Sequence, residues 1–271
     1  MKCGLSLLVL LSVSAWTESG VVKKVSSDDN DEDDGDLKVA QKLEKNNNNN
    51  PDQNSAEVTG GVAVPHLRTP RNTKPCVLRD CMWPKAADGK VYIPYAIAKH
   101  YTSQELDVIK RGLNSFSYST CIRFFPRTNQ TDFLYIQSLD GCYSYVGRRG
   151  NLQTVSLSRQ GCVHYGMVQH ELLHALGFNH EHCRSDRDQH IRVQLQNVIK
   201  GQEFNFRKVS TLNQETPYDY GSVMHYGRLA FSKDSHSPTM EAVPDPNIKF
   251  GLARQMSQSD IDRINLLYCT N

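Results

Sequence analysis

Residues 169–187 read Q-H-E-L-L-H-A-L-G-F-N-H-E-H-C-R-S-D-R. His170 and His174 are four residues apart, so on a helix they share one face about a turn apart. Two imidazoles so placed can take two corners of a tetrahedral zinc. Glu171 stands beside the first histidine, where a zinc-dependent peptidase needs its general base. Gly177 can adopt the positive φ that ends a helix, which lets His180 return as a third ligand. Three histidines leave one position for water, the mark of a catalytic zinc site. The bland alternative is a buried helix with incidental histidines, since short motifs recur by chance. Against it stand Gly177, His180, Glu181, a downstream Met224, and apolar cover from Val163, Met167, Val168, Leu172, Leu173, Ala175 and Leu176.

The long histidine motif, followed by S-V-M-H-Y at residues 222–226, resembles the astacin family of metzincin proteases. The glutamate after the third histidine and the tyrosine after Met-His are that family's forms. The likeness runs from Asn72 to Cys269. Within the family it is similar to the fish hatching enzymes, through Cys76, Cys81, C-M-W-P at 81–84 and Y-S-Y-V-G-R-R-G at 143–150.

The resemblance implies an α+β, two-lobed metzincin domain. Its N-terminal lobe holds a twisted, mostly parallel sheet with helices, and its C-terminal lobe is loop-rich with a terminal helix. It implies one zinc ion on His170, His174 and His180, with Glu171 and Tyr226 catalytic. Tyr226 would ligate zinc in the free enzyme, then swing away to bond the oxyanion. Met224 would floor the site. Glu181 would meet the ammonium of a mature N-terminus at Asn72. The implied disulfides are Cys121–Cys269, Cys142–Cys162 and Cys76–Cys81. The implied partner is a protein substrate, an egg-envelope glycoprotein, acted on by a monomer. An astacin protease of another tissue, nephrosin-like, is the alternative. An inactive envelope-binding protein is disfavoured because Glu171 and all three histidines are present.

The chain has 271 residues and two leader segments. Residues 1–15 carry a lysine, an apolar run Leu5–Leu11 and a small-residue end, and read as a secretory signal peptide. The run is too short to span a bilayer, so an exported protein with no membrane partner is expected. Residues 16–71 are acid-rich at Asp28–Asp36 and carry an asparagine run at Asn46–Asn50. They read as a propeptide, or else as a permanent acidic tail. Residues 72–271 are the expected peptidase domain, with an upper lobe at 72–180 and a lower lobe at 181–271. From Asn72 onward 23 Lys+Arg face 18 Asp+Glu, too mild an excess to argue for nucleic acid. Related propeptides carry F-x-G-D, whose aspartate occupies the metal. Here Gly61 stands at the aspartate position and has no ligating side chain. Asp36 is a candidate substitute, and latency is expected to be weaker than usual.

Eight cysteines are present, and Cys3 lies in the signal segment. Export makes disulfides the default. Cys183, three residues after His180, is left over: a zinc ligand, a free thiol or an externally paired one. Asn129-Gln-Thr131 is a glycosylation sequon.

The remaining chain reads as follows. Val91–Ile97, Ile122–Phe125, Phe133–Ile136 and Gln153–Leu157 are expected strands. The metzincin resemblance implies that the last is an edge strand that pairs with substrate, the alternative being an ordinary sheet edge. Thr102 and Glu105 form a capping box before a helix with Leu106, Ile109, Leu113 and Phe116 on one face. Ser257 and Asp260 resemble a second box, followed by an Ile261, Ile264 and Leu267-or-Tyr268 stripe. The charge cluster Arg184–Asp188 reads as a solvated and salt-bridged turn.

Overall fold

Both capping boxes form, and each starts a helix that frames the sheet or the site. The computed structural model describes residues 81–270. The expected signal and propeptide segments, Gly61, Asn72 and Cys76 therefore lie outside the described residues. Helix α1 (Ser103–Ser119) begins where Thr102 accepts from the Glu105 amide and Glu105 accepts from the Thr102 amide at 2.7 Å. Such a cap stabilises by about 1 kcal/mol. Ile109, Leu113 and Phe116 then form the buried face that the spacing predicts.

α1 is the crossover that parallel pairing requires between β1 (Val91–Ile97) and β2 (Ile122–Pro126). With β3 (Phe133–Gln137), β4 (Cys142–Ser144) and β5 (Leu152–Leu157) they make one sheet, in the order β2-β1-β3-β5-β4. All pairings are parallel except that of β4 with β5. The loop from β2 to β3 carries Asn129, which is exposed.

This order corrects one expectation. The Gln153–Leu157 segment is an interior strand, and β4 is the edge on that side. Val155, Ser156 and Leu157 are buried, as interior position demands. β4 has only three residues, Cys-Tyr-Ser, too short for alternation to reveal it. Its place is held by the Cys142–Cys162 disulfide, which ties it to the segment entering the next helix.

That helix, α2 (Tyr165–Ala175), crosses α1 at Gly112. A methyl group on Gly112 would meet Val168 Cγ1 at 2.5 Å and Cβ at 2.8 Å. Val168 is β-branched and stiff at χ1, so it cannot turn away easily. Gly112→Ala is expected to destabilise by about 1–3 kcal/mol. Adding Val168→Ala should recover part of the loss in a urea titration. Recovery of nothing would argue against this close approach. Gln169 locks the same crossing, donating to Ser115 Oγ at 2.8 Å and accepting from the Met256 amide at 2.8 Å.

After α2 the chain is loop-rich. Short 3-10 turns connect one two-stranded sheet, β6 (Ile191–Val193) and β7 (Met240–Ala242). Phe206, Tyr218, Phe231, Met240 and Phe250 form its own core. Helix α3 (Gln258–Ile264) starts at the second capping box and runs into a wider turn over Asn265–Cys269. Although α3 follows the lower half in sequence, Ile264 and Tyr268 join the upper core. The Cys121–Cys269 disulfide fastens it there across 148 residues. On the chain-entropy model a loop of that size stabilises by about 4–5 kcal/mol. Cys81 is also disulfide-bonded. Cys76, its expected partner, is outside the described residues.

Candidate active site

α2 is buried along almost its whole length, its polar Gln169, His170, Glu171 and His174 included; Leu172, Leu173 and the capping Leu176 are fully buried. It ends as the sequence requires. Gly177 has φ 103°, its amide donates to His174 O at 2.8 Å, and the Phe178 amide donates to Leu173 O at 3.0 Å. This paired closure satisfies the last carbonyls and turns the chain back.

The turn brings three imidazoles together. His180 Nε2 lies 3.2 Å from His170 Nε2 and 3.1 Å from His174 Nε2. His170 Nδ1 donates to Val223 O at 2.7 Å, and His174 Nδ1 to Phe178 O at 2.8 Å. A carbonyl only accepts, so in both rings the proton sits on Nδ1 and the Nε2 lone pair faces inward. Burial holds His170 down to about 4 and His174 to about 3, which keeps both neutral and fit to ligate. Tetrahedral zinc with bonds of about 2.0–2.1 Å puts neighbouring ligands roughly 3.3–3.4 Å apart. The spacing and the donor set therefore fit zinc, and one atom from each ring lies within 4.8 Å of the others.

Glu171 is 1 % exposed, and its Oε2 has no hydrogen-bond partner. Burial pushes its carboxyl well above the usual carboxylate range. An unpartnered buried carboxyl oxygen is costly unless something polar is meant to sit against it.

The five residues Ser222–Tyr226 run beneath the histidines. Met224 is buried, and its carbonyl accepts from the Glu181 amide at 2.9 Å. The Tyr226 ring lies 4.2 Å from the His180 ring and stacks on His182 at 4.1 Å. His182 is fully buried, with Nε2 on Asn205 O at 3.0 Å. Sequence reasoning misses it, because nothing in H-E-H marks the second histidine as a stacking partner.

Glu181 points away from the metal site. Its carboxylate meets Arg263 Nη1 at 2.7 Å and Nη2 at 3.0 Å, Arg184 Nη1 at 3.3 Å, and the Asp219 amide at 2.8 Å. A cavity of about 30 Å³, lined in part by Glu181, Arg184, Gln214, Met224 and Arg263, opens beside it. Asn72, the expected partner, is outside the described residues. The Arg184–Asp188 cluster is salt-bridged as it reads, through Arg184–Asp186 and Arg187–Asp188 at 2.8 Å each, but its arginines are not solvated. Arg184 and Arg187 are buried, and their guanidinium groups satisfy the carbonyls of Pro217, Thr216, His182 and Phe206. Cys183 is a free, buried thiol. Its Sγ lies 3.3 Å from both His182 Nε2 and Asn205 O, and burial pushes it up to about 12. It is not among the groups that converge as candidate metal ligands, and a buried thiol is poorly placed for an external disulfide.

A three-histidine centre on and just after the helix that follows a mostly parallel sheet, with a buried glutamate next to its first histidine in the chain and a methionine turn, defines a metalloendopeptidase of the metzincin type. The chain belongs to the astacin family of peptidases, whose family model matches residues 81–269. That family is zinc-dependent. The chain is 46 % identical to high choriolytic enzyme 1 of Oryzias latipes over 200 residues, 74 % of each chain. It is 40 % identical to the low choriolytic enzyme of the same fish over 272 residues, covering 98 % of this chain and 97 % of that one. The solved structure of high choriolytic enzyme 1, a hatching enzyme zinc-protease, matches with a TM-score of 0.69 at 46 % identity. That match covers 71 % of this chain and 96 % of the other.

Proposed function

We propose that this chain is a secreted hatching enzyme that cuts egg-envelope proteins with zinc held by His170, His174 and His180. The observation that carries the reading is the convergence of three imidazole nitrogens; Glu171, next to His170 in the chain, adds a buried carboxyl with an unpartnered oxygen. Zinc bound there supplies a Lewis acid and lowers the pKa of its water to about 7. Glu171 takes the proton from the attacking water and passes it to the leaving amine. Tyr226, tilted against His180 and stacked on His182, would hydrogen-bond the developing oxyanion. The outer edge of β4, which pairs with no further strand among the described residues, would offer main-chain groups to an extended substrate.

The identities of 40–47 % to choriolytic enzymes support the envelope as substrate. No helix of the described residues is long and apolar enough to cross a membrane. Residues 1–15 would direct export, and removal of residues 16–71 would release the peptidase at Asn72.

The test is digestion of isolated egg envelope by the form beginning at Asn72, with identification of the new peptide termini. Cleavage should stop with a chelator and return with zinc. Cleavage of casein but not of envelope would overturn the hatching role. Cleavage of neither, with zinc supplied, would overturn the peptidase reading itself.

A further inference from the structure

Helix α3 reaches the metal centre through an unbroken chain of hydrogen bonds. Asp260 is 3 % exposed and sits in the first turn of α3. Its Oδ1 accepts from Ser222 Oγ at 2.7 Å. Ser222 Oγ in turn accepts from the Met224 amide at 3.0 Å. That amide belongs to the same peptide group as Val223 O, which accepts from His170 Nδ1 at 2.7 Å. The other carboxylate oxygen, Oδ2, holds the Val223 amide at 2.9 Å.

We propose that Asp260 is a positioning residue for the metal centre, acting through Ser222 and the Val223–Met224 peptide on His170. The proposal rests on the zinc site assigned above and deepens it. Every donor in the chain points the same way, from His170 toward the carboxylate. Aligned hydrogen bonds polarise one another, most of all where the terminal acceptor is charged. The effect at the metal end is a His170 ring fixed in orientation and tautomer, with a more basic Nε2.

The competing account is that Asp260 only caps α3. Capping explains one contact, the Ser257 amide on Oδ2 at 3.0 Å. It does not explain why the carboxylate is buried or why it takes two donors from the methionine turn. An exposed carboxylate at this helix position would cap as well.

Metal affinity separates the two accounts. Zinc dissociation constants would be measured by competition with a chromophoric chelator for the wild-type peptidase, Asp260→Asn, Ser222→Ala and Ser257→Ala. Ser257→Ala removes the cap hydroxyl and leaves the relay whole. The relay predicts a dissociation constant raised about tenfold in Asp260→Asn, the low end for a metal's outer-shell partners. It predicts a smaller rise in Ser222→Ala and none in Ser257→Ala, whose Tm alone should fall. Unchanged affinity in folded Asp260→Asn overturns the proposal, as does an equal loss in Ser257→Ala. If Asp260→Asn fails to fold, Ser222→Ala keeps the carboxylate and decides between the accounts alone. A wild-type protein that binds no zinc would instead overturn the assigned site.

Discussion

Glu171→Gln is expected to lower kcat/KM on a peptide substrate by about 10²–10⁴-fold, the usual worth of a positioned general base. The substitution keeps the side chain's shape, and none of the three histidines hydrogen-bonds to Glu171, so zinc content should stay at the wild-type level. The structure adds a second readout. Glu171 is buried with one oxygen unpartnered, and its carboxyl is pushed up by burial. The folded state therefore bears a desolvation cost at neutral pH that a neutral glutamine avoids. Tm of metal-free Glu171→Gln should equal or exceed that of wild type, while activity collapses. A loss of activity accompanied by lost zinc or a lower Tm would point to a structural role, and retained activity would remove Glu171 as the base.

What the sequence exposes and what it hides differ in range. His170, His174, Gly177 and His180 span eleven residues, so the helical repeat and one glycine suffice to converge three rings. The capping boxes at Thr102 and Ser257 are local for the same reason and form as read. The surroundings of the site are assembled by long-range contacts, which periodicity does not reveal. Asp260 reads as a helix cap, yet it also binds residues 37 and 38 positions away. Arg184 reads as one charge in a polar turn, because local composition cannot show that Glu181, Thr216 and Pro217 will enclose it. β4 escapes because three residues carry no alternation, and without it β5 reads as the edge. Only the cysteine that pins β4 is visible in the sequence, and its pairing with Cys162 is implied by family likeness alone.

Arg263→Met is expected to cost about 3–5 kcal/mol, the range for leaving one member of a buried ion pair alone. Glu181 and Arg263 are both buried, and they meet through two hydrogen bonds at 2.7 and 3.0 Å. Burial pushes the Glu181 carboxyl upward, against the pull of Arg263 and Arg184. Losing the bidentate partner lets desolvation win further, since Arg184 offers a single contact at 3.3 Å. For a domain of this size the fall in Tm is on the order of 10 °C. Adding Glu181→Gln should restore much of the loss, because it removes the stranded charge. A single variant as stable as wild type, or a double variant no better than the single, would show that the pair does not hold the lower half in place. The same measurement bears on the Asn72 ammonium expected at Glu181. Arg263 is this carboxylate's bidentate partner, while Arg184 is held mainly by Asp186 at 2.9 and 2.8 Å. An ammonium arriving in the adjoining cavity would therefore matter most in the Arg263→Met background. There, protein cut to begin at Asn72 should be more stable than protein with one extra residue, by a wider margin than in wild type.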